Sequence, residues 1–174
     1  MRETADLNGF EANYEDGVLE VEGNGETVSR KLNHARIDVE VKDGEVVFSS
    51  DESNKTVKSI LGTFRSHVQN MVDGLEDEHV YQMKGVYAHF PMDIDVENDQ
   101  VVIGNFMGER NPRKVDIAEG AEVSVNGEDL EIRGADKEAV GLTAGRIEQA
   151  CKKGNRDPRT FQDGVYITDK GEKE

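Results

Sequence analysis

The sequence contains one cysteine, Cys151, in 174 residues, so no internal disulfide can form. Tryptophan is absent, aromatics are 6% and hydrophobic residues of all kinds 35%, a thin core that still suffices for small layered domains. No apolar run approaches the length of a membrane-spanning helix. Met1-Arg2-Glu3-Thr4-Ala5-Asp6 lacks the apolar stretch of a signal peptide. Positive charge is scarce too. The 21 Lys and Arg face 37 Asp and Glu, for a net charge of −16, which excludes a protein that coats nucleic acid with an all-round cationic surface. These absences predict a soluble protein in a reducing, cytoplasmic setting, with no membrane partner.

Catalytic and metal-binding patterns are missing as well. Histidines 34, 67, 79 and 89 are scattered, and none forms the His-Glu-x-x-His pair of a zinc hydrolase. His67, near an apolar helix stripe, reads as structural. Cys151 sits on an apolar helix face without an activating base and reads as core. Asp93-x-Asp95-x-Glu97-Asn98-Asp99 resembles the start of a calcium loop, but the turn glycine is missing and Gly104 stands where the closing Glu belongs. Alternation around a hairpin explains these acids better. Gly23-x-Gly25 lacks the rest of a dinucleotide fingerprint and is a turn. No nucleophile, orienting group and oxyanion site occur together, so a hydrolase built on Asp93 and Asp95 is not supported. The expectation is a protein that is not an enzyme, with no cofactor, no metal and no small-molecule substrate.

What is present is periodicity. High charge with low hydrophobicity is also the composition of disordered chains. Here, however, apolar residues recur at regular periods with glycines between them. The acids therefore read as a solvated surface over a folded core, the pattern expected of adaptation to high salt. The length allows one ordinary domain or two small ones. Residues 17–21 and 27–32 form a hairpin about Gly23-Asn24-Gly25, and residues 37–41 and 46–48 form another about Asp43-Gly44. A helix follows, capped by Ser50 or Asp51 and ended by Gly74, with Val57, Ile60, Leu61, Phe64, Val68 and Met71 in one stripe.

The pattern then recurs. Residues 92–96 and 101–106 flank Asn98-Asp99, residues 114–117 form a strand, and residues 123–125 and 130–132 flank Asn126-Gly127. A helix from about 136 to 152 carries Val140, Ala144, Ile147 and Cys151 on one face. An offset of 83 lays Val18-Leu19 on Val101-Val102, Arg30-Lys31-Leu32 on Arg113-Lys114-Val115, and the first helix stripe on the second. The Asp43-Gly44 strands fit slightly better at 84. The fold class is therefore α+β: two tandem duplicated domains, 1–79 and 80–174, each a twisted antiparallel sheet with a helix on one face. Residues 80–90 and 154–174 lie outside the repeat. The first segment reads as a strand of the second domain. The second covers or extends that domain's sheet, with Asp163-Gly164 as a tight turn.

The bases are unevenly placed. Residues 1–79 hold 8 bases and 18 acids; residues 80–174 hold 13 and 19. Arg110, Arg113 and Lys114 crowd one loop and strand beside Asn105, Gly108 and Asn111. Arg146, Lys152, Lys153, Arg156 and Arg159 follow along the last helix and its exit. Lys152 and Lys153 also complement a helix C-terminus, but that leaves the rest of the group unexplained. Local bases on an acidic chain point to a confined polyanion site, where Arg and Lys meet phosphates and glycine admits close backbone approach. On spacing alone, RNA binding stands only slightly ahead of a protein–protein adaptor that uses the aromatic segment from Tyr81 to Phe90.

The segment Arg156-Asp157-Pro158-Arg159-Thr160-Phe161-Gln162-Asp163-Gly164-Val165-Tyr166 resembles the C-terminal signature of the large ribosomal subunit protein six family in its archaeal and eukaryotic form. Gln149 upstream fits the same signature. Gly62-Thr63-Phe64-Arg65-Ser66-His67, Tyr87-Ala88-His89-Phe90-Pro91-Met92 and the stretch from Asn105 to Arg113 agree as well. The likeness runs from about residue 15 to 170 and is strongest to the haloarchaeal branch. Lys153 stands where the signature has an aliphatic residue, and Asp169 where it has a base, with Lys170 immediately after. The resemblance implies two tandem α+β domains and a structural role in the large subunit. It further implies binding of 23S rRNA, mainly by the C-terminal domain, near the sarcin–ricin loop, the stalk base and the translation-factor site. Neighbouring large-subunit proteins near the stalk base are the implied protein partners. The residues expected to meet RNA are Asn105, Gly108, Arg110, Asn111, Arg113, Lys114, Lys152, Lys153, Arg156, Arg159 and Lys170. Phe161 and Tyr166 either stack on a base or pack on the second sheet.

Overall fold

Alternating burial along short β-branched stretches produces the strands of this chain, and two stripes of period 3.6 produce its helices. The computed structural model describes residues 1–152 and 162–171. Two units, Met1–Glu78 and His79–Glu174, are each compact.

The first unit comprises β1 (Arg2–Asp6), β2 (Glu11–Glu15), β3 (Val18–Gly23), β4 (Glu26–Lys31), β5 (Asp38–Lys42), β6 (Glu45–Ser49) and α1 (Lys55–Glu76). Its antiparallel sheets run β1-β6-β5 and β2-β3-β4. Leu19, Val21, Val46 and Phe48 from the sheets meet Val57, Leu61 and Val68 from α1 in the core. Phe48 and Phe64 pack edge to face at 5.7 Å. The helix begins later than Ser50 or Asp51: Asn54 is the cap, and its Oδ1 accepts from the Val57 N–H at 2.9 Å. Gly74 does not end it. That residue is buried inside the last turn, and the Asp77 N–H still bonds the Asp73 carbonyl.

The second unit comprises β7 (His79–Val86), β8 (Asp93–Glu97), β9 (Gln100–Gly104), β10 (Arg113–Asp116), β11 (Glu122–Asn126), β12 (Asp129–Gly134), α2 (Lys137–Ala150) and β13 (Gly164–Asp169). Its sheets run β10-β9-β8 and β11-β12-β7-β13. Tyr81, Met83, Leu130, Ile132, Val140, Ala144, Ile147 and Val165 lie in its core. Asp136 caps α2, accepting from the N–H groups of Glu138 and Ala139. Cys151 is buried in this core. Asp93, Asp95 and Glu97 face solvent around buried Ile94, as a hairpin requires.

The pairing registers refine the duplication. Matching Leu19 and Val21 to the equally buried Val101 and Ile103 gives an offset of 82 for β3 and β9. Their ladder neighbours then put Val28 on Arg113, an offset of 85 for β4 and β10. For β5 and β6 the offset is 84: Val39, Val41, Val46 and Phe48 fall on Val123, Val125, Leu130 and Ile132. The single offset of 83 is thus an average over strands, although it matches the helix stripes. Nor does β7 lie outside the repeat. Ala5 opposite Val46 corresponds to Met83 opposite Leu130, so β7 is the counterpart of β1 at an offset of 78. Among the described residues, β13 is the one strand without a counterpart; it extends the sheet along the free edge of β7. Asp163-Gly164 is not a turn there. Gly164 opens β13 opposite Val86, and Asp163 is buried.

The changes in offset locate insertions. The rise from 78 to 82 adds four residues between β7 and β8, in the segment that carries Tyr87, His89 and Phe90. The rise from 82 to 85 adds three between β9 and β10. There residues 23–27 of the first unit, the tight turn Asn24-Gly25 with the strand ends beside it, correspond to residues 105–112. What distinguishes the second unit is therefore two loops and an edge strand.

Candidate nucleic-acid interface

The two inserted loops hold each other. Asn105 and Met107 adopt the left-handed region, with φ of 57° and 51°, and Gly108 follows at 75°. This turn buries Phe106 and brings Gly108 against Phe90, where an added Cβ would lie 3.1 Å from the ring. The Asn105 amide reaches back and donates to the Pro91 carbonyl at 2.9 Å. This bond joins the two loops.

Arg113 anchors the second loop to α2. Its Nε and one terminal nitrogen donate to the two Glu109 carboxylate oxygens at 2.9 and 2.6 Å. The other terminal nitrogen donates to the carbonyls of Ala150 at 2.5 Å and Lys152 at 2.8 Å. The guanidinium also lies 4.4 Å from the centre of the Phe106 ring. The hydrogen bond to Glu109 raises its pKa further. Four of its five N–H donors are therefore committed inside the unit, two of them to the carbonyl end of α2. The expectation of a simple phosphate contact did not anticipate this structural use.

The clamp places the other predicted bases. Arg110, Asn111 and Lys114 are exposed on the loop and on β10, and Lys152 is exposed where α2 ends, at the carbonyl that Arg113 holds. Arg110, Lys114 and Lys152 form no ion pair among the described residues. Gly108 exposes its backbone beside them. Lys170 is not brought to this group. It follows β13 beside Gly171, whose α-carbon lies against the Val80 carbonyl at the start of β7, the end opposite the inserted loops. Lys153, Arg156, Arg159 and Phe161 lie outside the described residues. Tyr166 is 40% exposed on the outer face of the sheet, and its hydroxyl donates to the Gln162 carbonyl at 2.8 Å.

Two residues of the segment from Tyr81 to Phe90, Lys84 and Phe90, are exposed as well. The alternation Tyr81, Met83, Gly85 inward and Gln82, Lys84, Val86 outward places Lys84 on the uncovered sheet face, opposite Tyr166. Phe90 is 48% exposed, which no periodicity could have indicated in a loop. No group of three or more metal-ligating side chains occurs among the described residues. No helix there is long and apolar enough to cross a membrane.

A family model described as ribosomal protein L6 matches residues 8–78 and again residues 90–164, once in each unit. The chain belongs to the ribosomal protein L6 family. Over 152 residues it is 47% identical to the large ribosomal subunit protein uL6 of Haloarcula marismortui, covering 87% of this chain and 85% of that one. It is 40% identical to the uL6 of Methanocella arvoryzae over 171 residues, 98% and 97% of the two chains. It is 45% identical to the uL6 of Natronomonas pharaonis over 149 residues, 86% and 84% of the two chains. As an L6-family member it is a ribosomal protein of the large subunit, a structural component and not an enzyme. The resemblance carried by the tail signature and the loop motifs therefore identified the family, and the duplicated α+β architecture is that of its two matched repeats.

Proposed function

We propose that this L6-family protein binds 23S rRNA mainly through its second unit, with Arg110, Asn111, Lys114 and Lys152 at phosphates and sugars and the Gly108 backbone close beside them. Lys153, Arg156 and Arg159 continue the basic run in sequence and belong to the same reading. Arg113 and Asn105 act by positioning the loop, and Lys170 makes a separate contact. By its family the protein braces rRNA near the sarcin–ricin loop, the stalk base and the translation-factor site, with neighbouring stalk-base proteins as partners. The observation that carries this reading is the location of the difference between the two units. Both share one scaffold, and the exposed bases lie on the loop and helix exit where the second unit departs from it.

Recognition is expected to be of RNA shape, phosphates and 2′-hydroxyls, because A-form grooves hide most base edges. The acid excess is compatible with this: a confined basic group meets RNA while the carboxylates elsewhere remain solvated. Phosphate pairing alone weakens steeply with salt, with a log–log slope of roughly −0.9 per contact on duplex DNA. Close packing and hydrogen bonds therefore supply much of the retention in a salt-adapted protein. Sedimentation of a native lysate at high salt, with and without ribonuclease, tests the reading. Co-migration with large subunits that ribonuclease abolishes is expected. Migration as a free small protein in both samples would overturn it.

A further inference from the structure

We infer that Phe90 and Tyr166 form a pair of stacking positions for unpaired bases of the bound RNA. The inference rests on the RNA-binding reading above and adds a contact that phosphate pairing does not supply. Tyr87, Phe90 and Tyr166 are the exposed aromatics of the described residues, and all lie in the second unit. Tyr87 and Phe90 belong to an insertion absent from the first unit, and Tyr166 belongs to the strand that has no counterpart there.

Two of these rings are held in the same way. The Phe90 ring rests against Gly108, where a Cβ would come within 3.1–3.3 Å of three ring atoms. The Tyr166 ring rests against Gly164, two residues earlier on the same strand face, where a Cβ would lie 3.0 Å from its hydroxyl and 3.1 Å from the adjoining ring carbon. The Gln162 carbonyl fixes that hydroxyl. Each ring is thus supported at a glycine and keeps a large part of its surface exposed, 48% for Phe90 and 40% for Tyr166. A ring fixed in this way loses little freedom on binding, and a flat π-face accepts any base.

The surroundings identify the occupant. Gly164 pairs with Val86, so the Tyr166 ring lies at the C-terminal end of β7. Phe90 follows Val86 by four residues and cannot be more than about 14 Å away along the chain. Arg110 stands two residues from Gly108, and Lys84 stands opposite Tyr166. An aromatic position next to an exposed cation, repeated at two points of an acidic chain, suits a polyanion that carries stackable rings.

Because the chain has no tryptophan, Phe90→Trp and Tyr166→Trp each introduce a single tryptophan, which can be excited selectively over the tyrosines. Each full-length variant is titrated with a large-subunit rRNA transcript at high salt. Stacking predicts quenched emission and reduced access to acrylamide at both positions. Unchanged emission and access under saturating RNA would overturn the inference. In parallel, Phe90→Leu and Tyr166→Leu should each weaken rRNA binding by about 5- to 150-fold with an unchanged salt slope, their folds checked by circular dichroism. Parental affinity in the double leucine variant overturns the stacking role. If that variant binds the transcript normally but no longer enters large subunits, the rings face a protein neighbour and the inference also falls. Absence of transcript binding by the parent would instead sink the RNA-binding reading itself.

Discussion

Replacing Arg113 should loosen the site without removing a base from its exposed surface. The side chain makes a bidentate contact with Glu109, two hydrogen bonds to carbonyls at the end of α2, and a cation–π contact with Phe106. The side chain is only 26% exposed, so solvent screening is partial. A bidentate pair in this setting contributes up to about 1 kcal/mol. The helix-end bonds add about 1–2 kcal/mol, and the ring contact about 0.5–1 kcal/mol. Arg113→Ala should therefore destabilise the second unit by about 2–4 kcal/mol. For a unit of this size that lowers its unfolding midpoint by at least about 8 °C. Arg113→Lys should recover less than half, because a point charge cannot serve Glu109 and two carbonyls at once. Hydrogen exchange should accelerate in peptides covering residues 105–113 and 144–152 together. Circular dichroism melts and exchange mass spectrometry at high salt read both effects. Parental stability and exchange in Arg113→Ala would refute the clamp. Acceleration in the loop alone would refute the link to α2.

Further consequences are equally specific. Gly134→Ala would place a Cβ 2.2 Å from the Gly120 carbonyl oxygen, so backbone must move, and a loss of at least about 3 kcal/mol should appear in thermal melts. Asn54→Ala removes the α1 cap and should cost about 1 kcal/mol, recovered largely by Asn54→Asp. Arg110→Gln and Lys114→Gln should each reduce the salt slope of rRNA binding by about 0.7–0.9 while weakening every RNA sequence similarly, as filter binding across a salt series would show. The hydrogen bond to Glu128 holds the Tyr87 phenol above its ordinary 10.0. Its proton is retained more strongly in the folded state, so the associated stability is complete below pH 10 and is lost as pH rises through the folded value. Ultraviolet titration of Glu128→Gln should show one tyrosine ionising earlier.

Sequence made the hairpins at Asp43-Gly44 and Asn98-Asp99 legible because left-handed turn residues sit between alternating apolar strands, and Gly127 marked the third, although its turn is Gly127-Glu128 and Asn126 ends β11. It did not reveal β1 and β2. Arg2-Glu3-Thr4-Ala5-Asp6 has a single inward residue of consequence, Ala5, and Glu11-Ala12-Asn13-Tyr14-Glu15 offers only Ala12 and Tyr14. Without β1, the counterpart of β7 was invisible and the inserted loops could not be located. The helix start was set three or four residues early because Ser50, Asp51, Ser53 and Asn54 are all competent caps, and only packing chooses among them. The basic loop was visible as charge. Which of its members faces solvent was not, since Arg113 differs from Arg110 only through Glu109 four residues before it and through α2, which lies far away in sequence. Asp163-Gly164 has turn chemistry, yet Gly164 serves a strand, leaving room for the Tyr166 ring.

The central claim is that the second unit is the RNA-facing part of this protein. Photo-crosslinking of purified large subunits at high salt, followed by mass spectrometry of the RNA-linked peptides, tests it most directly. The account predicts crosslinks in peptides containing residues 87–92, 105–114 and the segment after Cys151. Crosslinks confined to peptides of residues 1–78 would contradict it.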